Sequence, residues 1–234
     1  MRPARLFGAA GLLAAGHAYP ALAPIAPPVA RSLGVSLRAP ELDGVALTFD
    51  DGPHPEGTPA VLETLASSGA RATFFLVGEQ VRRRPSLAAE IAAAGHAIGV
   101  HGERHRVLLR LSRRTIEDDI DRAREVIAGA CGVVPQLHRP PLGIYSFRGL
   151  GAVRDRGLRP LLWSRWGRDW SRRETPASVA ARVTRDLSSG DVLLLHDADY
   201  YSDAECWRTT VAALPVVLDA IAAAGLRTAA PPGS

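Results

Sequence analysis

Val45-Ala46-Leu47-Thr48-Phe49-Asp50-Asp51-Gly52-Pro53 is the stretch on which the reading of the fold turns. Its first five residues form an unbroken, mostly apolar run, as in a strand buried on both faces. The run ends in two aspartates and a turn. Further strand candidates occupy residues 72–77, 97–100, 136–139, 160–164, 192–195 and, more weakly, 226–228, several of them continuous apolar runs. Helical patterns separate them at residues 59–67, 85–94, 115–128, 149–156, 176–187 and 209–223. Ser112 suits a helix N-cap, and Gly95, Gly157 and Gly225 stand where helices should stop. Repeated strand–helix alternation implies parallel strands joined by right-handed crossovers. The class is α/β. Seven strands suggest an incomplete barrel, although a doubly wound open sheet carries the same local signature.

The polar residues that stand out fall just after strand ends. Asp50 and Asp51 follow the first run, His101 and His105 the third, and His196-Asp197 the run at 192–195. Arg139 closes the fourth and leads into Pro140-Pro141-Leu142-Gly143. Loops leaving the C-terminal ends of parallel strands share one rim, so these four placements describe a functional edge. The i, i+4 spacing of His101 and His105 can set two imidazoles on one side of a turn, as in zinc sites. No Glu follows His101, which excludes the zinc-protease helix pattern. Together the residues supply a carboxylate–histidine–histidine metal set, with a further carboxylate and histidine as base and acid. His54, His96 and His138 lack such support and read as structural.

Composition excludes several chemistries. All 28 basic residues are arginine, and the chain contains neither Lys nor Asn. Schiff-base lysines, a Walker A lysine and N-glycosylation are therefore ruled out. A net charge of +4 with short arginine runs at 82–84 and 113–114 reads as solvated surface, and no nucleic-acid partner is expected. Cys131 and Cys206 form neither a disulfide framework nor a metal quartet. Arg2 and Arg5 precede a soft apolar stretch to about Ile25, then a proline-rich segment. Residues 1–43 thus read as a secretory signal or membrane anchor with a linker, and residues 44–234 as the catalytic domain. An uncleaved anchor would hold the domain outside the cytoplasm. The alternative is a packed extension on a cytoplasmic chain.

Leu47-Thr48-Phe49-Asp50-Asp51-Gly52-Pro53 resembles the first motif of the polysaccharide deacetylases, the NodB homology domain of carbohydrate esterase family four. Ala72-Thr73-Phe74-Phe75 resembles the family's second strand, and His101-x-x-x-His105 its metal-binding motif. Arg139-Pro140-Pro141-Leu142-Gly143, the segment from Trp163-Ser164 to Asp169-Trp170, and Leu193-Leu194-Leu195-His196-Asp197 resemble the remaining motifs in order. The resemblance implies a distorted (β/α)7 barrel. It implies that Asp51, His101 and His105 hold a divalent metal, zinc first and cobalt or nickel as alternatives. Asp50 would be the general base, oriented by Arg139. The backbone N–H of Leu142 would stabilise the oxyanion, and His196 would protonate the leaving amine. Trp170 and Leu195 would shape the acetyl pocket. The implied partner is an N-acetylated glycan, acted on by a monomer.

Three departures from the family pattern stand out. Gly102 replaces a common Ser or Thr, Leu142 a frequent Tyr, and Trp166 the first Asp of the fourth motif. Asp169, Asp197 or Asp199 could then partner His196. The competing readings are a hydrolase of another small amide or O-acetyl ester, and a lapsed enzyme that only binds glycan.

Overall fold

The computed structural model describes residues 15–232. Strand β1 (Ala46–Asp50) is central, flanked in parallel by β2 (Thr73–Leu76) and β7 (Val192–His196). Beyond β2 lie β3 (Ala97–Val100), β4 (Leu137–His138) and β5 (Arg159–Pro160), and beyond β7 lies β6 (Arg165–Trp166). The order is β5-β4-β3-β2-β1-β7-β6, with every neighbouring pair parallel. The sheet curls into an incomplete (β/α)7 barrel, so the closed-up alternative prevails over the open doubly wound sheet. Outside it run α1 (Pro27–Ser32), α2 (Gly57–Ser68), α3 (Gly78–Arg83), α4 (Pro85–Ala93), α5 (Arg113–Cys131), α6 (Phe147–Asp155), α7 (Pro176–Thr184) and α8 (Cys206–Ala223). Ser112 caps α5 by accepting from the Thr115 N–H. The short α1 and α3 were not expected from the sequence.

Two expected strands differ. The run at 160–164 is not one strand: only Pro160 falls in β5, and residues 161–164 lead from it to β6, because Leu161 and Leu162 serve a buried cation. The Leu161 and Leu162 carbonyls accept hydrogen bonds from Arg139 at 3.1 and 2.7 Å rather than from a neighbouring strand. The run at 226–228 contributes a single bridge, Val45 to Thr228.

Strand alternation sorts the side chains into two sets. Leu47, Phe49, Phe74, Leu76, Ile98, Val100, Leu193 and Leu195 pack in one core cluster with α2, α4, α5, α7 and α8. Ala46, Phe75, Leu137, Val192 and Leu194 belong to a second cluster. Ala23, Ala30, Val35, Ala39 and Leu42 are buried in that second cluster, so the chain before β1 packs into the same body. The apolar start expected to be a signal or anchor lies mostly outside the described residues; within its described end, Pro20 and Ala23 are buried. Both cysteines are free.

Candidate active site

The second set of alternating positions ends, at the C-terminal rim, in Asp50, His101, Arg139 and His196. Register brings them together: Asp50 is opposite both Phe75 and His196, and Phe75 is opposite Gly99. Gly99 is required there, since a Cβ would fall 2.5 Å from the Phe75 ring. Over that ring, at 4.0 Å, lies the guanidinium of Arg139, which is wholly buried. Arg139 Nη1 donates to Asp50 Oδ1 at 2.7 Å and to Thr48 Oγ1 at 2.8 Å. A buried guanidinium is kept charged by such a carboxylate, and the carboxylate is oriented in return.

Asp51 leaves the strand at φ +80°, an uncommon conformation for a residue with a side chain. The turn swings its carboxylate away from Arg139 and toward the histidines. Asp51 Oδ1 lies 3.4 Å from His101 Nε2 and 3.5 Å from His105 Nε2. Donor atoms of the three residues all lie within 4.8 Å of one another. Asp51 Oδ1 is buried without a hydrogen-bond partner, the condition of a ligand atom awaiting a cation. His101 Nδ1 lies 2.9 Å from the Arg139 carbonyl, which fixes the proton on Nδ1 and leaves the Nε2 lone pair free. Burial pushes His105 down to about 4, so its imidazole is neutral at pH 7 and able to ligate. One carboxylate and two imidazoles suit zinc, cobalt or nickel.

Across the cleft stands His196. Of the three aspartates open as its partner, Asp169 takes the role: its Oδ1 lies 3.0 Å from His196 Nδ1, and its Oδ2 accepts from the His196 N–H at 2.6 Å. Thr210 also donates to Asp169 Oδ2, at 2.7 Å. Asp197 instead accepts from Thr58, and Asp199 lies 3.4 Å from His54. Burial alone would lower the His196 pKa. The charge and hydrogen bond of Asp169, helped by Asp51 and Asp50, outweigh it and lift the group to about 10. The ring therefore carries two protons at pH 7, one on Nδ1 toward Asp169 and one on Nε2 toward the cleft.

Asp50, Asp51, His101, His105 and His196 line one cavity of about 230 Å³ with Leu142, Trp163, Trp166, Trp170, Leu194 and Tyr201. Trp170 meets His196 edge-on at 5.6 Å. Leu142 sits at φ +59° in a tight turn whose hydrogen bonds run from Gly143 N–H to Pro140 O and from Ile144 N–H to Pro141 O. The Leu142 N–H takes no part in them. Leu195 does not line the cavity: one position along the strand reverses the facing, so Leu195 packs in the helix-side core and Leu194 forms the wall.

Sequence reading missed Tyr201. Its ring stacks on His105 with centroids 4.1 Å apart and 7° between planes. Its hydroxyl donates to Glu79 at 2.7 Å and accepts from Gln80 at 3.0 Å. Those partners lie more than a hundred residues away in the chain, and no local pattern marks the contact.

A curled parallel barrel with this donor set at its rim defines a class of metal-assisted hydrolase sites. Residues 38–161 match the polysaccharide deacetylase family. A chitooligosaccharide deacetylase of Azorhizobium caulinodans is 36% identical over 190 residues, covering 77% of this chain and 89% of that protein. A peptidoglycan-N-acetylglucosamine deacetylase of Bacillus cereus is 35% identical over 186 residues, covering 78% and 84%. Among solved structures, a family 4 carbohydrate esterase from Streptomyces lividans in complex with acetate matches with TM-score 0.73 and 31% identity, covering 81% and 93%. A family 4 acetyl xylan esterase from Clostridium thermocellum, in complex with a cobalt ion, matches with TM-score 0.72 and 27% identity, covering 79% and 86%. The chain belongs to the polysaccharide deacetylase family.

Proposed function

We propose that the protein hydrolyses the acetamide of N-acetylated sugars in a polysaccharide or cell-wall glycan, releasing acetate and leaving a free amine. The single observation that carries this is the division of labour between neighbours: Asp50 is held by Arg139 at 2.7 Å, while Asp51 Oδ1 stands unpaired beside two imidazoles. In this reading Asp51, His101 and His105 hold a divalent cation, zinc before cobalt or nickel, which supplies Lewis-acid polarisation of the acetyl carbonyl and of water.

The other roles fall to the chain itself. Asp50, oriented by Arg139, takes the proton of the attacking water as it adds to the carbonyl carbon. The Leu142 N–H donates to the developing oxyanion. His196 gives its Nε2 proton to the sugar nitrogen as the C–N bond breaks, and Asp169 steadies the imidazolium beforehand. Trp170 and Leu194 enclose the methyl group and keep water from that side. The catalytic body works as a monomer. The arginine-flanked apolar start exports or anchors it, so that it meets glycan outside the cytoplasm, while residues from Ala23 to Leu42 pack with the catalytic body.

The test is acetate release from N-acetylglucosamine oligomers by the dialysed chain, with and without added zinc, beside an O-acetylated xylan. Activity on the oligomers that appears only with metal supports the reading. Release confined to xylan would make the protein an O-acetyl esterase, and equal amide hydrolysis by metal-free protein would sink the mechanism.

A further inference from the structure

The two histidines beside Asp51 are held in different ways. His101 is fixed by a hydrogen bond, its Nδ1 lying 2.9 Å from the Arg139 carbonyl. His105 has no counterpart to it: among the described residues its Nδ1 makes no hydrogen bond. A histidine ring turns about a broad outer torsion with no sharp staggered minima. A ligand that turns freely must be immobilised when it binds, at a cost in entropy. Metal-ligating histidines ordinarily avoid that cost by donating from their second nitrogen. His105 therefore needs another restraint.

Tyr201 stands where that restraint is needed. Its ring lies parallel to the imidazole, with 4.1 Å between centroids and 7° between planes, and so opposes rotation of His105 out of that plane. The tyrosine is fixed in turn at its far end, where the hydroxyl donates to Glu79 at 2.7 Å and accepts from Gln80 at 3.0 Å. Glu79 and Gln80 belong to the first turn of α3. The same turn grips the chain between the two histidines: the Gly78 and Glu79 N–H groups donate to the Gly102 and Glu103 carbonyls, each at 2.9 Å. Backbone and ring of the histidine loop are thus both referred to α3. The loop that carries Tyr201, between β7 and α8, is fastened by other groups. Asp203 donates its N–H to the Trp170 carbonyl at 3.1 Å and accepts from the Arg172 N–H at 2.8 Å, and Asp199 accepts from the Glu205 N–H at 2.6 Å. The course of that loop does not depend on the Tyr201 side chain.

We propose that Tyr201 is a positioning residue for metal binding: clamped by Glu79 and Gln80, its ring holds the His105 imidazole with Nε2 toward Asp51 and takes the place of the hydrogen bond that His105 lacks. This rests on the reading of Asp51, His101 and His105 as a metal set and goes beyond it in the residue assigned. Tyr201 also lines the cleft, so direct contact with the sugar is the rival role.

Zinc affinity of the full chain is measured by competition with a chromophoric chelator. The variants are Tyr201→Leu, Tyr201→Thr as a second ring-free form, and Tyr201→Phe. The ring-free variants should bind zinc roughly 10–100-fold more weakly while keeping the parent's urea midpoint. Tyr201→Phe should recover most of the loss, because it keeps the ring. In zinc-free protein, the His105 ring protons should move downfield in the ring-free variants, as the shielding of the tyrosine is removed, while those of His101 stay in place. Acetate release by the ring-free variants should fall at limiting zinc and return to near the parent kcat and KM at saturating zinc. Parent-like zinc affinity in the ring-free variants, a Tyr201→Phe variant as weak as they are, or unmoved His105 resonances overturns the proposal. So does a raised KM that saturating zinc does not restore, which would make Tyr201 a substrate contact. A parent chain that binds zinc in this pattern but releases no acetate refutes the deacetylase reading and leaves the role of Tyr201 standing.

Discussion

Replacing Asp50 by Asn tests the separation of base from ligand and also probes the barrel interior. The substitution keeps shape and an acceptor oxygen, so the 2.7 Å bond from Arg139 Nη1 can persist. What is lost is charge. Asp50 is the one carboxylate within 4 Å of Arg139 among the described residues, and both groups are buried. Removing one partner of a buried pair costs about 3–5 kcal/mol. The surviving hydrogen bonds to Thr48, Leu161 and Leu162 and the Phe75 face at 4.0 Å argue for the lower end. Set against a typical stability of ~5–15 kcal/mol, the variant should fold. Loss of general-base action should lower kcat by ~10²–10⁴-fold or more, with substrate affinity less affected. Asp51→Ala should behave differently, losing bound metal and activity together, because two imidazoles alone leave the cation underligated. The assay is metal content, urea-unfolding midpoint and kcat for acetate release on both variants. Near-parent turnover by Asp50→Asn refutes the assignment, as does loss of metal from Asp50→Asn while Asp51→Ala keeps it.

Three further outcomes are expected. Asp169→Asn removes the main counterweight to burial at His196; since a raised pKa keeps this acid protonated to higher pH, the alkaline limb of the kcat/KM profile should move downward from near 10, and an unmoved limb would show that His196 is not the acid. His96, pushed down to about 4 by burial and then by Arg71, binds fewer protons in the folded state than in the unfolded one between about 4 and 6.5. Its share of stability is therefore present above 6.5 and lost as pH falls toward 4, and His96→Gln should flatten that loss when urea midpoints at pH 7 and 4.5 are compared. Leu195→Ala should cost ~2–5 kcal/mol of stability with modest change in KM, whereas Leu194→Ala should act on KM for the acetylated sugar; the reverse pattern would exchange their facings.

Much of this was legible in the sequence because the information was local. Asp50 and His196 each sit at the end of a short apolar run, and such runs form the interior of a parallel sheet, while Arg139 closes a short strand marked by its place in the strand–helix alternation. The i, i+4 spacing of His101 and His105 pointed to the pair only together with its place after a strand end. Where the reading failed, the deciding contact was distant in the chain. That residues 161–164 leave the ladder between β5 and β6 depends on Arg139 drawing two carbonyls inward, which no pattern within the run reveals. The choice of Asp169 over Asp197 and Asp199 depends on where a loop 27 residues upstream of His196 returns to it. Leu195 was misplaced by a single position, which in a strand is enough to exchange pocket for core.

The adjacent aspartates show how a backbone angle can assign chemistry. Had Asp51 continued the strand, alternation would have turned it toward the helix-side core, where Leu47 and Phe49 point and where a carboxylate has no partner. The turn at φ +80° prevents this and returns the side chain to the rim, beside His101 and His105. Gly52 makes the turn tolerable, because a Cβ there would fall 2.4 Å from Asp197 Oδ2. Asp197, committed to Thr58 and packed against Gly52, is thereby unable to compete for His196 and leaves it to Asp169. Gly52→Ala should accordingly disturb the metal set through Asp51 before it disturbs the pairing of Asp50 with Arg139, since that pair is anchored within β1 and β4's C-terminal end while Asp51 depends on the turn. Weaker zinc binding with a preserved fold is the expected result; parent-like zinc affinity would show that the turn does not position the ligand.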